Sequence, residues 1–377
     1  MSSDVKRLGD RIWNIGDTWL YGPVRRREYR EVFLPFLLYQ RWWCNAGAPA
    51  QSLIHCQTVE DLMQSVRESP IADLLLRLKI EQQGKRLAKA NRLADFLQAI
   101  AQLKIGSSQE PFSIGELYQF FLSKNPKAAV EDGAYYTPPD VAKLMATLLF
   151  TGNPPVEDRV QIYDPACGMC DLLFAAAEVF SEAFPGKNKH LHLQLLGQEI
   201  DPFTHAIAQA EMWLNHASPE DIKCGDTLAA DRFPFLRPRY ILANPPFGVN
   251  WSAARPAVQE ELKTFGPRSR WSHGISRVND GQLMFLQHIA KKLHPDGGRA
   301  VVLTNASPSF IGQAGSGDGN IRKWLIESGL LDTVIALPEN LFFNTPIATQ
   351  LWILDSHHSP RKGKFQIINA ARLLSQS

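Results

Sequence analysis

Apolar residues at Leu93, Phe96, Leu97, Ile100 and Leu103 recur at offsets of 3, 4, 7 and 10, the stripe of a single helix face. Apolar runs at Val32 to Leu38 and Ile71 to Leu78 extend this reading, so residues 1–130 are expected to form a helical domain. From about residue 158 the pattern changes. Short apolar runs at Val160-Tyr163, Leu193-Leu196, Tyr240-Ala243, Arg299-Leu303, Thr333-Leu337 and Gln350-Leu354 alternate with helical segments such as Leu172 to Phe184 and Thr204 to Asn215. That rhythm is β-α-β, and it predicts an α/β, Rossmann-like domain over residues 131–377 with a mostly parallel, doubly wound sheet. The Gly-rich stretch Gly312 to Gly319 predicts a mobile surface loop.

Sheets of this kind bind ligands beyond the carboxyl ends of their strands, so the residues that end the apolar runs carry the chemistry. Asn244-Pro245-Pro246-Phe247 ends the run Tyr240-Ala243. Two prolines cannot continue a ladder, and the chain must leave the sheet there. What leaves it is an amide, a stiff turn lacking two backbone donors, and an aromatic face, parts suited to a flat ring that bears an amino group. A conjugated amino nitrogen is a poor nucleophile. An Asn oxygen and a turn carbonyl that each accept one of its hydrogens favour a pyramidal nitrogen with an exposed lone pair. A plain turn of common turn residues is the alternative.

Three acids precede this tetrapeptide. Asp164-Pro165-Ala166-Cys167-Gly168 ends the first run with a carboxylate suited to a cationic amine, and Gly168 lets a ligand approach the backbone at a helix N-terminus. Gly197-Gln198-Glu199-Ile200-Asp201 ends the second and offers an acid to ribose hydroxyls. Cys224-Gly225-Asp226-Thr227 supplies a third, an acceptor for an adenine amino group. Each acid alone reads more simply as an N-cap or turn residue. Their order, one per successive strand end, points to a single ligand. With no full G-x-G-x-x-G and no G-x-x-x-x-G-K-[ST], dinucleotides and triphosphates are disfavoured, and S-adenosylmethionine fits best.

Composition adds bounds. At 377 residues, 45% hydrophobic and 21% charged, the chain is globular and long enough for two or three domains. No apolar run approaches the roughly 18 residues of a membrane span and no signal-peptide pattern opens the chain, so a cytoplasmic location is expected. Lys and Arg outnumber Asp and Glu 18 to 13 in residues 1–130, a net of +5, and trail 22 to 25 beyond, a net of −3. A solvated face or a subunit contact explains that as well as a polyanion does. Five cysteines show no disulfide spacing; Cys167 and Cys170 form a lone C-x-x-C, and no metal or redox centre is expected. The stretch from Gly248 to Gly281 interleaves Trp251, Arg255, Lys263, Arg268, Arg270, Trp271 and Arg277, either a grip on DNA phosphates or a solvated loop.

Gly133-Ala134-Tyr135-Tyr136-Thr137-Pro138, Asp164 to Gly168, Gly197 to Glu199, Gly225-Asp226 and Asn244 to Phe247 resemble the ordered motifs of amino-group DNA methyltransferases. Over nearly its whole length the chain is similar to the modification (methylase) subunit of Type I restriction-modification systems. The likeness starts near Ile12-Trp13-Asn14, continues through Glu28 to Val32, and reaches Ile321-Arg322-Lys323 and Leu337 to Phe342. This resemblance implies methylation of adenine in DNA at its exocyclic nitrogen, with the base flipped out of the duplex. It implies that Tyr136, Thr137 and Pro138 meet the methionine end of S-adenosylmethionine, Asp164 its amino group, Glu199 the ribose and Asp226 the adenine. Asn244 and the Pro245 carbonyl would polarise the target amino group, with Phe247 stacked on the base. The partners it implies are DNA, a separate specificity subunit and a restriction subunit.

The chain departs from that pattern in three places. Cys170 stands where the family has a second glycine, and its side chain is expected to crowd the methionine moiety or shift the loop. Thr304-Asn305-Ala306-Ser307 replaces the more usual Pro-Asn-Gly, and the helical extension typical of the family's C-terminus is not expected after Ser377. Two other readings stay open: methyl transfer to a glutamine amide or an RNA guanine, and a subunit that binds partners or cofactor without turnover.

Overall fold

The computed structural model describes residues 3–46, 53–103, 105, 114–124, 137–155, 158–185, 192–339, 341–342, 347–357 and 363–371. The chain divides into two compact units, Met1–Asp132 with Ala206–Pro219, and Gly133–His205 with Glu220–Ser377.

The first unit is helical: α1 (Ser3–Trp19), α2 (Tyr29–Ala46), α3 (Val59–Arg67), α4 (Ala72–Arg77), α5 (Ile80–Lys89), α6 (Leu93–Ala101) and α7 (Ile114–Lys124). The periodic stripe works as read, with Leu93, Phe96, Leu97 and Ile100 all buried. Phe96 packs 5.3 Å, centroid to centroid, from both Phe33 and Phe36 of α2. Gly9 lies so close under Phe120 that a Cβ there would fall 2.4 Å from the ring, which is why α1 carries no side chain at that point. Glu211, only 1% exposed, accepts from Arg41 Nη1 at 2.9 Å and from the Ile114 N–H at 2.8 Å, a buried charge made tolerable by its partners.

The second unit is built, in chain order, from α8 (Pro139–Phe150), β1 (Arg159–Asp164), α9 (Asp171–Ala183), β2 (His192–Glu199), the start of α10 (Pro202–Leu214), β3 (Ile222–Cys224), β4 (Tyr240–Ala243), α11 (Arg255–Phe265), α12 (Gln282–Lys292), β5 (Arg299–Asn305), α13 (Ser307–Phe310), α14 (Gly317–Glu327), β6 (Leu331–Ala336), β7 (Thr349–Asp355) and β8 (Gln366–Asn369). The strands form one sheet in the order β3-β2-β1-β4-β5-β7-β6-β8. Among the described residues only β7 runs against its neighbours, so the fold is the expected α/β with a mostly parallel sheet.

Both faces of the sheet are covered, which is why β4 is buried along its whole length rather than alternating. Ile241, Ala243, Ala300 and Val302 pack against Leu283, Leu286 and Ile289 of α12 and against Ile321 and Leu325 of α14. On the opposite face Phe150 of α8 lies 5.1 Å from Tyr240 and 5.5 Å from Phe180 of α9.

The Gly-rich stretch is not a free loop. A Cβ on Gly317 would fall 1.8 Å from the Ile275 carbonyl oxygen, and one on Gly319 2.3 Å from that of Gln313. Arg322 ties down the preceding turn by donating to the carbonyls of Pro308, Ile311 and Gly312 at 3.0, 2.7 and 3.1 Å. Glycine serves close backbone approach here, and the expectation of a mobile loop is corrected. Among the described residues no helix is long and apolar enough to cross a membrane.

Candidate active site

From β1 the chain steps outward through β2 to β3, then returns to the other side of β1 as β4. That reversal opens a crevice at the strand ends between β1 and β4. Asp164, Glu199 and Asp226 stand at or just past the ends of β1, β2 and β3, and Asn244 directly follows β4.

Asp164 is 1% exposed and its Oδ1 accepts the Ala166 N–H at 2.9 Å. Burial pushes its carboxyl up to about 8, against the Ala166 hydrogen bond, and the charge of Glu199 adds to the rise. Glu199 is raised as well, chiefly by burial, although its Oε2 accepts the Gly168 N–H at 3.0 Å and its Oε1 that of Asp201 at 2.8 Å. Two strained carboxyls in one crevice are a setting that a cationic ligand relieves. Asp226 Oδ1 accepts the Leu228 N–H at 2.9 Å, bending the third loop beside them.

The glycines mark where a ligand has room. At Gly197 a Cβ would fall 2.7 Å from Cys167 Sγ, so that glycine serves internal packing. At Gly168, held at φ +54°, a Cβ would meet nothing within 4 Å. The space over Gly168, flanked by the carboxyls of Asp164 and Glu199, suits the cationic methionine end of S-adenosylmethionine. Cys170 also has a left-handed backbone, φ 72°, yet its side chain is wholly buried, with its thiol beside that of Cys167. It turns inward, so the expected crowding of the ligand side is not what the geometry gives.

Several residues that the sequence did not single out lock these loops. Gln198, fully buried, donates to the carbonyls of Gly225 and Ala230 at 3.1 and 2.8 Å and accepts the Arg232 N–H at 3.0 Å. Thr227 donates to the Pro165 carbonyl, joining the first loop to the third. Such side chain to backbone bonds carry no local sequence signal.

At the fourth tip the Asn244 amide donates from Nδ2 to Thr137 Oγ1 at 2.9 Å, and Thr137 is 5% exposed. Pro138, the next residue, is the N-cap of α8. Tyr136 lies outside the described residues. Pro245 is buried and Pro246 half-buried. Phe247 is 4% exposed and meets Phe342 edge-to-face with centroids 6.1 Å apart, so a base can stack on its ring only if the side chains covering it part.

The residues expected to grip DNA separate into two kinds. Arg268 is exposed. Trp271 is 0% exposed and cannot stack on a base. Arg270 donates to Glu261 Oε2 at 2.6 Å, to the Thr227 carbonyl at 2.7 Å and to His288 Nδ1 at 3.1 Å, and its guanidinium lies 4.5 Å from the Trp271 ring. Arg270 and Trp271 are therefore corrected from DNA contacts to interior supports of the loop beside Asp226.

The comparisons with known proteins agree on this architecture. A solved Type I restriction-modification system methyltransferase subunit from Streptococcus thermophilus superposes with a TM-score of 0.75 at 21% identity, covering 99% of this chain and 89% of that one. A class I S-adenosylmethionine-dependent methyltransferase from Listeria monocytogenes gives 0.57 at 18% identity, covering 92% and 94%. In sequence, the chain is 29% identical over 268 residues to the Type I restriction enzyme MjaIX methylase subunit of Methanocaldococcus jannaschii, covering 70% of this chain and 44% of that protein. It is 28% identical over 264 residues to the HindI methylase subunit of Haemophilus influenzae, covering 69% and 54%. The chain thus spans about half the length of these curated relatives. A model of the N-6 DNA methylase family matches residues 110–377, and with most of its length inside that match the chain belongs to this family.

Proposed function

We propose that this chain transfers a methyl group from S-adenosylmethionine to the exocyclic amino nitrogen of adenine in double-stranded DNA, as the modification subunit of a Type I restriction-modification system. The observation that carries this reading is the succession of Asp164, Glu199 and Asp226 at the ends of adjacent strands β1, β2 and β3, with Asn244 on the other side of β1. Asp164 would face the ammonium of the methionine moiety, Glu199 the ribose and Asp226 the adenine ring, with Thr137 and Pro138 bordering the methionine end. When bound, this cofactor supplies an electrophilic methyl group on a sulfonium. Asn244 Oδ1 and the Pro245 carbonyl accept the two hydrogens of the target amino group, which turns its lone pair out of conjugation with the ring. Phe247 offers the face on which the flipped base stacks, once its cover opens.

The specificity subunit would read the DNA sequence and the restriction subunit would complete the system, all in the cytoplasm. The test is to incubate the chain with its specificity subunit, tritiated S-adenosylmethionine and unmethylated host-type DNA, and to identify the labelled base. Label is expected in N6-methyladenine, with Asn244→Ala slower by about 10²–10³-fold. An Asn244→Ala variant as fast as wild type, or label in RNA or protein instead of DNA, would overturn the reading.

A further inference from the structure

We propose that Thr137 is a positioning residue for Asn244: its hydroxyl fixes the amide so that Oδ1 meets the amino group that is to be methylated. The inference deepens the methyltransfer reading and rests on it. An Asn amide has two unlike ends, and only the oxygen can accept a hydrogen. Rotated by half a turn, the same amide would point an NH2 at an amino group, donor against donor. The bond from Asn244 Nδ2 to Thr137 Oγ1, 2.9 Å long, holds one edge of the amide and presents the other. Thr137 is only 5% exposed, so bulk water competes little for that hydroxyl.

The backbone on both sides of this bond is stiff for the same reason. Thr137 precedes Pro138-Pro139 and Asn244 precedes Pro245-Pro246. A residue ahead of proline is confined to extended conformations, and each proline fixes its own φ. Pro138 sits at φ −54°, ψ 142° as the N-cap of α8, which packs on β4 and β5. Two X-Pro-Pro turns, 107 residues apart in sequence, are thus set against each other on one platform, and little freedom remains to be lost when the substrate arrives.

Thr137→Val removes the hydroxyl at nearly constant shape and Thr137→Ser restores it. In the assembly with the specificity subunit, Thr137→Val is expected to lower kcat about 10- to 100-fold, while KM for S-adenosylmethionine and for DNA stays within about threefold. Thr137→Ser is expected to recover most of the rate. An unchanged kcat in Thr137→Val overturns the proposal, and so does a loss that saturating S-adenosylmethionine restores, which would mark a methionine contact alone. A second readout does not depend on activity. The side-chain amide resonances of Asn244, assigned by their loss in Asn244→Asp, should shift and exchange faster with water in Thr137→Val but not in Thr137→Ser. If wild type transfers no methyl group to DNA, the functional reading fails while this spectrum still decides the positioning role; identical spectra in all three proteins would refute it.

Discussion

Glu199 Oε2 accepts the N–H of Gly168 at 3.0 Å, and its Oε1 takes that of Asp201 at 2.8 Å, so a single carboxylate spans the loops that follow β1 and β2. An amide at this position has one acceptor where two are used, and its NH2 would confront a backbone donor. Glu199→Gln is therefore expected to cost about 1–3 kcal/mol of stability. If the same carboxylate also receives the ribose, S-adenosylmethionine affinity should fall about tenfold or more, read by equilibrium dialysis with labelled cofactor beside urea unfolding. Loss of stability with unchanged affinity would confine Glu199 to tying the loops.

Asp164 gives the crevice a pH dependence of definite sign. Its carboxyl is raised from 3.8 to about 8 by burial, so between those values the folded chain holds a proton that the unfolded chain has released. The stability contribution is complete below about 4 and is lost as pH rises toward about 8. Asp164→Asn cannot titrate. The stability of wild type relative to this variant should therefore decline from pH 5 to 8 by an amount on the order of a few kcal/mol and level off above. A cationic ligand lowers the same pKa, so binding S-adenosylmethionine near neutrality should expel a proton, and calorimetric enthalpies should differ between phosphate and Tris buffers. A constant stability difference together with buffer-independent enthalpies would rule this out.

The site is legible where chemistry coincides with the end of an apolar run. Asp164, Glu199 and Asn244 close such runs, and that sufficed to order them. The three residues of β3, Ile222–Cys224, are too few for a periodic signal, and β8, with Ile367 71% exposed, has no buried face to announce it. Contacts that need the folded chain stay silent in sequence: the Thr137 to Asn244 bond joins distant segments, and Gln198 acts through carbonyls that any residue could offer. Arg270 misleads for a related reason. Its charge is visible in the sequence, while the role of Glu261 nine residues earlier as its partner is not.

Gly168 and Cys170 share a left-handed backbone but face opposite environments. Gly168→Ala should cost about 1 kcal/mol in backbone strain, because nothing in the chain obstructs the added methyl. If that open space receives the methionine moiety, the variant should bind S-adenosylmethionine at least about tenfold more weakly. Cys170→Gly relieves strain and vacates a buried volume, two terms of opposite sign, and should leave cofactor affinity within about twofold. Isothermal titration of both variants decides the matter. Equal affinity losses would mean that the loop responds as one body and that the inward turn of Cys170 does not insulate the ligand.

Arg268 and Arg270 are two residues apart and should fail in different ways. Arg270 and Glu261 have side chains only 13% and 19% exposed, and the guanidinium also holds the carbonyls of Thr227 and Leu228. Arg270→Ala leaves the Glu261 carboxylate and both carbonyls short of donors, so it should destabilise the fold by about 2–4 kcal/mol. It should also loosen the turn that carries Asp226, weakening cofactor binding. Arg268 is exposed, and Arg268→Ala should leave the unfolding midpoint unchanged. As a phosphate contact it would instead lower DNA affinity for all sequences alike and reduce the salt slope by about one. Unfolding curves and DNA binding at several salt concentrations, run on both variants in the full assembly, separate the two roles: a flat result for Arg268→Ala removes it from the DNA surface, and a fully stable Arg270→Ala would mean that Glu261 is solvated well enough to stand alone.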